Sequence, residues 1–254
     1  MVFPLYDDDS DRQSTPWVNY AIIALNIFVF VVLQGIGTNE QFTYSFSTVP
    51  QEILTGHDVV TSGRVVEVVT GQRVLIPGLG VTPGSVYLTL FTSMFMHGGI
   101  AHIAGNMLFL WIFGDNIEDR LGHIRYVIFY LLCGVIASLA HVFATAAFAS
   151  DPSALLVPSL GASGAISGVL GGYILLHPSK QVTVFLFRFL TQVPAWVAIG
   201  IWFAFQLVSG LGMLGGGSQQ GGVAYAAHIG GFVAGLVLIK LFDRGGGRVT
   251  SPSY

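Results

Sequence analysis

Apolar residues fall in six runs, at about 17–36, 100–115, 124–148, 161–177, 192–213 and 223–242, separated by polar or glycine-rich connections. A membrane-crossing helix needs about 20 mostly apolar residues. The pattern therefore predicts an all-α membrane protein with six transmembrane helices, of which the second and fourth are short. The one long connection, 37–90, contains RVVEVVTGQRVLIPG, whose alternation and central turn predict a small hairpin. It is expected to be a structured outer loop on the membrane surface. Residues 1–16 form a short N-terminus, 17–242 the six-span domain and 243–254 a tail. No internal repeat is evident.

Composition supports the membrane reading. The chain has 254 residues, 53% hydrophobic and 9% charged, with a mean hydropathy of +0.72; soluble domains carry roughly 25% charged residues. The net charge of −3 gives no reason to expect a nucleic-acid partner. The single cysteine, Cys133, sits in an apolar run, which precludes an internal disulfide and fits a buried small hydrophobe. The acidic N-terminus lacks the basic start of a signal peptide and the arginine-rich character of a transit peptide, so Trp17 onward reads as a retained span.

Charge also orients the spans. With the N-terminus inside, Arg12, Arg120, Arg125, Lys180, Arg188, Lys240, Arg244 and Arg248 are cytoplasmic, and only Arg64 and Arg73 are outside. This asymmetry puts both termini in the cytoplasm. Spans two, four and six then run from outside to inside.

The polar residues within those three spans share one depth. His102 and Asn106 lie one turn apart. At 1.5 Å per residue, Asn106 is about 9 Å in from a start at Ile100, and His228 about 7.5 Å in from Val223. From Ser163 to His177 a helix covers about 21 Å against a hydrocarbon core of about 30 Å. Span four thus falls short, and Ser163 is expected about 8–10 Å below the outer surface, preceded by irregular backbone, VPSLGAS, buried in protein or lining a wet cavity. Ser163, Ser167 and Gly171 form one stripe, and His228, Gly231 and Gly235 another. Such small-xxx-small stripes permit close helix approach and would bring Ser163 to His228.

Small residues alone are ordinary packing. Intramembrane histidines, however, are costly and usually functional. A serine beside a neutral histidine makes a nucleophile with its general base. Asn106, His102 and the Ser163 backbone N–H could hold an oxyanion. Asp115, Glu118 and Asp119 lie at the far end of span two, so a catalytic carboxylate is missing and the chemistry would be that of a Ser–His dyad. A metal site is disfavoured: there is no HExxH, and the spacing of His97 and His102 puts them on different helix faces. Ala165 breaks the G-x-S-x-G elbow of soluble hydrolases. His57, His123, His141 and His177 read as non-catalytic.

GASG at the start of the short fourth span, HGGIAHIAGN leading into MLFLWIFGDNIEDRLG on the second, and AHIGGFVAG on the sixth resemble the rhomboid intramembrane serine proteases, in order and spacing, over about 17–242. The resemblance implies a prokaryotic six-span rhomboid bundle with Ser163 as nucleophile and His228 as base. It implies an oxyanion hole from His102, Asn106 and backbone, with Gly161 shaping the loop before the nucleophile. Gly231 and Gly235 match close-packing glycines, His97 a structural histidine, and Glu118 an acidic residue anchoring the cytoplasmic side. Two departures are visible. Ser167 stands where many bacterial rhomboids have a tyrosine stacked on the catalytic histidine, and the first outer loop lacks the common Trp-Arg pair.

The expected function is cleavage of peptide bonds in or near transmembrane segments of membrane proteins, in a bacterial or archaeal cytoplasmic membrane, with the site open to the outer side. The expected partners are transmembrane substrates and the lipid bilayer, with no nucleic acid, metal or cofactor. No sequence feature sets an oligomeric state. The alternative is a catalytically silent rhomboid-like protein that binds membrane clients. A transporter would need polar residues in both membrane halves.

Overall fold

In the computed structural model, which describes residues 2–67, 73–76, 78–186, 189–214 and 222–243, the chain opens with a strand, β1 (Val2–Asp7). Helix α1 (Trp17–Phe28) follows and widens into a π-helical turn, Val29–Leu33. The connection to the next long helix is built. It holds α2 (Glu40–Ser45), capped by Asn39, whose side chain accepts the Phe42 N–H, and α3 (Pro50–Thr55), with proline in its first turn and left-handed Gly56 closing it. Strands β2 (Arg64–Glu67) and β3 (Arg73–Ile76) pair antiparallel, so the expected hairpin is present. The run Val86–Phe95, which includes α4 (Thr89–Thr92), meets α5 (Ile100–Leu121) at 80°.

The chain continues through α6 (His123–Phe148), a short 3-10 turn (Pro152–Leu156), α7 (Ser163–Leu176), the hairpin β4 (Gln181–Leu186) and β5 (Phe189–Pro194), and then α8 (Ala195–Leu214) and α9 (Gly222–Phe242). The protein is mostly helical. Among the described residues, two helices, His123–Phe148 and Tyr225–Phe242 within α9, are long and apolar enough to cross a membrane, or three if the bent pair Val86–Phe95 and α5 forms one span. Arg188, Arg244, Arg248, most of the 214–222 connection and nearly all of the 243–254 tail lie outside the described residues.

The core centres on α7. All ten residues from Gly164 to Tyr173 are buried, because glycine, alanine and serine let neighbours approach on every side. A Cβ on Gly231 would lie 2.1 Å from the Gly164 carbonyl oxygen, one on Gly235 2.0 Å from that of Gly168, and one on Gly171 2.2 Å from that of Phe232. Helices α7 and α9 therefore touch backbone to backbone. On the other side a Cβ at Gly164 would meet the Ala137 Cβ of α6 at 2.6 Å. Cys133 is fully buried beside Gly168.

Two expectations change. The second apolar run is not short: α5 has 22 residues. Its hydropathy stops at Asp115 but its helix does not, because the polar side chains that follow are buried and bonded. Glu118 accepts the backbone N–H groups of Val18 (3.0 Å) and Asn19 (2.6 Å), so it caps the start of α1, and it also contacts His123. Arg120 makes a two-point contact with Asp243 (2.7 and 3.1 Å). Nor is the chain outside the outer loop all-α. β1 pairs with β4 and β4 with β5, giving a three-stranded antiparallel sheet of order β1-β4-β5. Asp7, 3% exposed, accepts hydrogen bonds from Tyr173 Oη (2.5 Å) and Asn116 Nδ2 (2.8 Å). The strand is thus tied to α7 and α5.

Candidate active site

Ser163 is the first residue of α7, where backbone N–H groups lack helical acceptors. The segment before it is pinned. Ser159 exchanges two backbone bonds with Thr48 (2.8 and 2.9 Å), and Gly161 N–H donates to the Ser93 carbonyl at 2.9 Å. Gly161 has φ +121°, a conformation side-chain-bearing residues rarely adopt, and a Cβ there would stand 2.9 Å from both Cε1 and Nε2 of His102. Both constraints require glycine.

The α7–α9 backbone contact sets the next distance. His228, one turn before Gly231, has Nε2 2.8 Å from Ser163 Oγ. Its ring lies between two aromatics: Trp202 of α8, centroids 6.0 Å apart and tilted 43°, and Tyr225 one turn earlier on α9, at 6.4 Å and edge-on. Ser167 does not reach it. Its Oγ donates to the Ser163 carbonyl at 2.6 Å, so the position that lacks the family's tyrosine serves the first turn of α7 instead.

His102 and Asn106, on one face of α5, approach Gly161 from the other side. Gly98 N–H donates to His102 Nδ1 at 3.3 Å. That bond leaves the ring proton on Nε2, next to Gly161. Asn106 Nδ2 lies 3.0 Å from His97 Nε2. A Cβ on Gly161 would also be 3.7 Å from Asn106 Nδ2. A small cleft lined by Ser93, Ser138, Gly161, Ser163 and His228 lies beside the serine and histidine.

The structure therefore brings together Ser163, His228, Gly161, His102 and Asn106, with Gly231 and Gly235 packed beneath. His97 sits at the mouth of the second span, as the resemblance implies. It lies in the break before α5, not on the helix, and its ring centroid is 5.2 Å from that of His102. Helical-face arithmetic does not apply across that break. Trp202, Tyr225 and Gln34 escaped sequence reasoning. Each lies in or beside an apolar run, where an aromatic or lone amide has no pattern that separates a contact to the site from ordinary burial.

A family model for the rhomboid domain matches residues 84–244, more than half of the chain. The chain belongs to the rhomboid family. Among curated relatives, this rhomboid is 32% identical over 150 residues to rhomboid protein 1, mitochondrial, of Saccharomyces cerevisiae (59% of this chain, 40% of that protein). It is 26% identical over 227 residues to the rhomboid protease GluP of Bacillus subtilis (89% and 34%). It is 36% identical over 155 residues to RHOMBOID-like protein 12, mitochondrial, of Arabidopsis thaliana (55% and 44%). The chain spans less than half the length of each of these three. The matched region covers α5 to α9, the whole of the Ser163–His228 constellation.

Proposed function

We propose that this rhomboid is an intramembrane serine endopeptidase that hydrolyses peptide bonds in or near transmembrane segments of membrane proteins. The observation that carries the reading is the 2.8 Å contact between Ser163 Oγ and His228 Nε2, made between two helices whose glycines touch. Ser163 Oγ attacks the scissile carbonyl carbon while its proton passes to His228 Nε2. The oxyanion is held by His102 Nε2–H, an Asn106 amide N–H and the Ser163 backbone N–H. The C–N bond breaks as His228 protonates the leaving amine. A water then gives its proton to His228 and attacks the acyl carbon, releasing the acid and restoring Ser163. The Trp202 and Tyr225 rings hold the imidazole where a residue at 167 does not.

In this reading α1, α5, α6, α7, α8 and α9 are the six spans of a cytoplasmic membrane. Both termini are cytoplasmic, the α2–β3 region forms the outer loop, and the site opens to the outer side, where water enters. At 14 residues and about 21 Å, α7 cannot span a core of about 30 Å, so Ser163 starts below the surface. The expected substrates are single- or multi-span proteins whose helix unwinds near the cut; helix-breaking and small residues there lower the cost of unwinding.

The test is active-site labelling. A fluorophosphonate should modify Ser163 in detergent-solubilised protein, with Ser163→Ala unlabelled and His228→Ala labelled at least about a hundredfold more slowly, as for loss of a general base. Labelling that is indifferent to His228→Ala would remove the dyad and favour a silent client-binding protein.

A further inference from the structure

Gln34 lies outside every motif yet is fully buried. It follows the π-helical turn Val29–Leu33, and its N–H closes that turn on the Val29 carbonyl at 2.9 Å. Such wide turns re-aim the side chains that follow them. Here the Gln34 amide reaches His97: Oε1 accepts the His97 N–H (2.9 Å), and Nε2 donates to the His97 carbonyl (2.9 Å) and to Thr43 Oγ1 (2.8 Å). His97 sits in the break between Val86–Phe95 and α5, without a helical or sheet partner for its backbone. The amide supplies both bonds, as a neighbouring strand would.

Its consequence reaches the site. The His97 ring, 0% exposed, is bracketed edge-on by Phe30 (6.5 Å) and His102 (5.2 Å), and its Nε2 faces Asn106 Nδ2 at 3.0 Å. An amide nitrogen only donates, so His97 Nε2 accepts and carries no proton. With Nδ2 held there, the second Nδ2–H is left for another acceptor, and Gly161 is close by: a Cβ there would lie 3.7 Å from Nδ2.

We propose that Gln34 is a positioning residue for the oxyanion-binding amide of Asn106, acting through His97. The inference rests on the protease reading and adds to it a lock between α1 and α5. Gln34 touches neither substrate nor reacting atoms; it fixes the backbone that aims the His97 ring, which in turn holds the Asn106 side chain in place.

The experiment is a double-mutant cycle with a reconstituted single-span substrate. It compares wild type, Gln34→Met (similar size, no hydrogen bonds), Asn106→Ala and the double variant, with Ser163→Ala as the blank. Gln34→Met is expected to lower kcat about tenfold with KM within about twofold, and to cost less than about twofold once Asn106 is alanine. Equal losses in both backgrounds, or a wild-type kcat in folded Gln34→Met, overturn the proposal while leaving Ser163-dependent cleavage intact. Cleavage by Ser163→Ala overturns the protease reading and this proposal with it. Should Gln34→Met fail to fold, Thr43→Val takes its place. It removes one bond of the same amide and is expected to lower kcat about threefold, again only while Asn106 is present.

Discussion

At the scale of single residues, the site depends on what surrounds the serine and histidine as much as on the pair. Gly161 has no tolerance: φ +121° and a virtual Cβ 2.9 Å from the His102 ring mean that Gly161→Ala must displace either the loop or His102. Removing one oxyanion donor typically costs about 10²–10³ in kcat. Gly161→Ala is therefore expected to lose activity on that order while the helices keep their melting behaviour, measured by turnover beside thermal unfolding. Trp202 carries a second expectation. Ser167 is bonded to the Ser163 carbonyl, whereas Trp202 and Tyr225 bring rings to His228. Trp202→Ala should slow fluorophosphonate labelling of Ser163 about tenfold, an effect of imidazole orientation. Trp202→Phe should restore most of the rate, since it returns an aromatic face.

At the scale of elements, the contact between α7 and α9 sets the chemistry. A methyl at Gly231 would stand 2.1 Å from the Gly164 carbonyl oxygen, and a fixed backbone atom cannot move aside as a side chain does. Gly231→Ala should therefore cost about 1–3 kcal/mol, as overpacking does, and should slow Ser163 labelling because the helices separate; unfolding in detergent and labelling rate check the two halves. This contact was legible in the sequence: two small-residue stripes and a helix too short to cross put Ser163 and His228 at one depth. The sheet β1-β4-β5 was not legible. Its strands are short, one belongs to an acidic terminus and another abuts an apolar helix, so no alternation stands clear of its neighbours. The length of α5 was hidden for a related reason. Hydropathy falls at Asp115, but burial with partners, not apolarity, carries the helix on to Leu121. A strand so placed titrates. Burial, with the Asp115 carboxylate nearby, raises the Asp7 carboxyl to about 7, against the hydrogen bonds from Tyr173 and Asn116 and the charge of Lys180, which lower it. The docked strand therefore holds a proton that the free strand has released, and its stability is full below about pH 4 and falls as pH rises to about 7. Protease nicking of the N-terminus should increase over that interval, and Asp7→Asn should flatten the dependence.

At the scale of the whole molecule, the two ends of the bundle are built differently. Around Ser163 the groups are histidines, amides and backbone. The other end is a lattice of charge and hydrogen bonds: Asp7 with Asn116 and Tyr173, Arg12 with Asp115 (2.6 Å), Glu118 on the start of α1, and Lys180 with Asn116 (2.6 Å) and Asp11. The most direct test of the central claim is cleavage of a tagged single-span substrate co-reconstituted in liposomes with wild-type protein, Ser163→Ala or His228→Ala. The wild type is expected to make one new membrane-embedded or juxtamembrane cut, and either variant none above background. Equal cleavage by Ser163→Ala would contradict the claim.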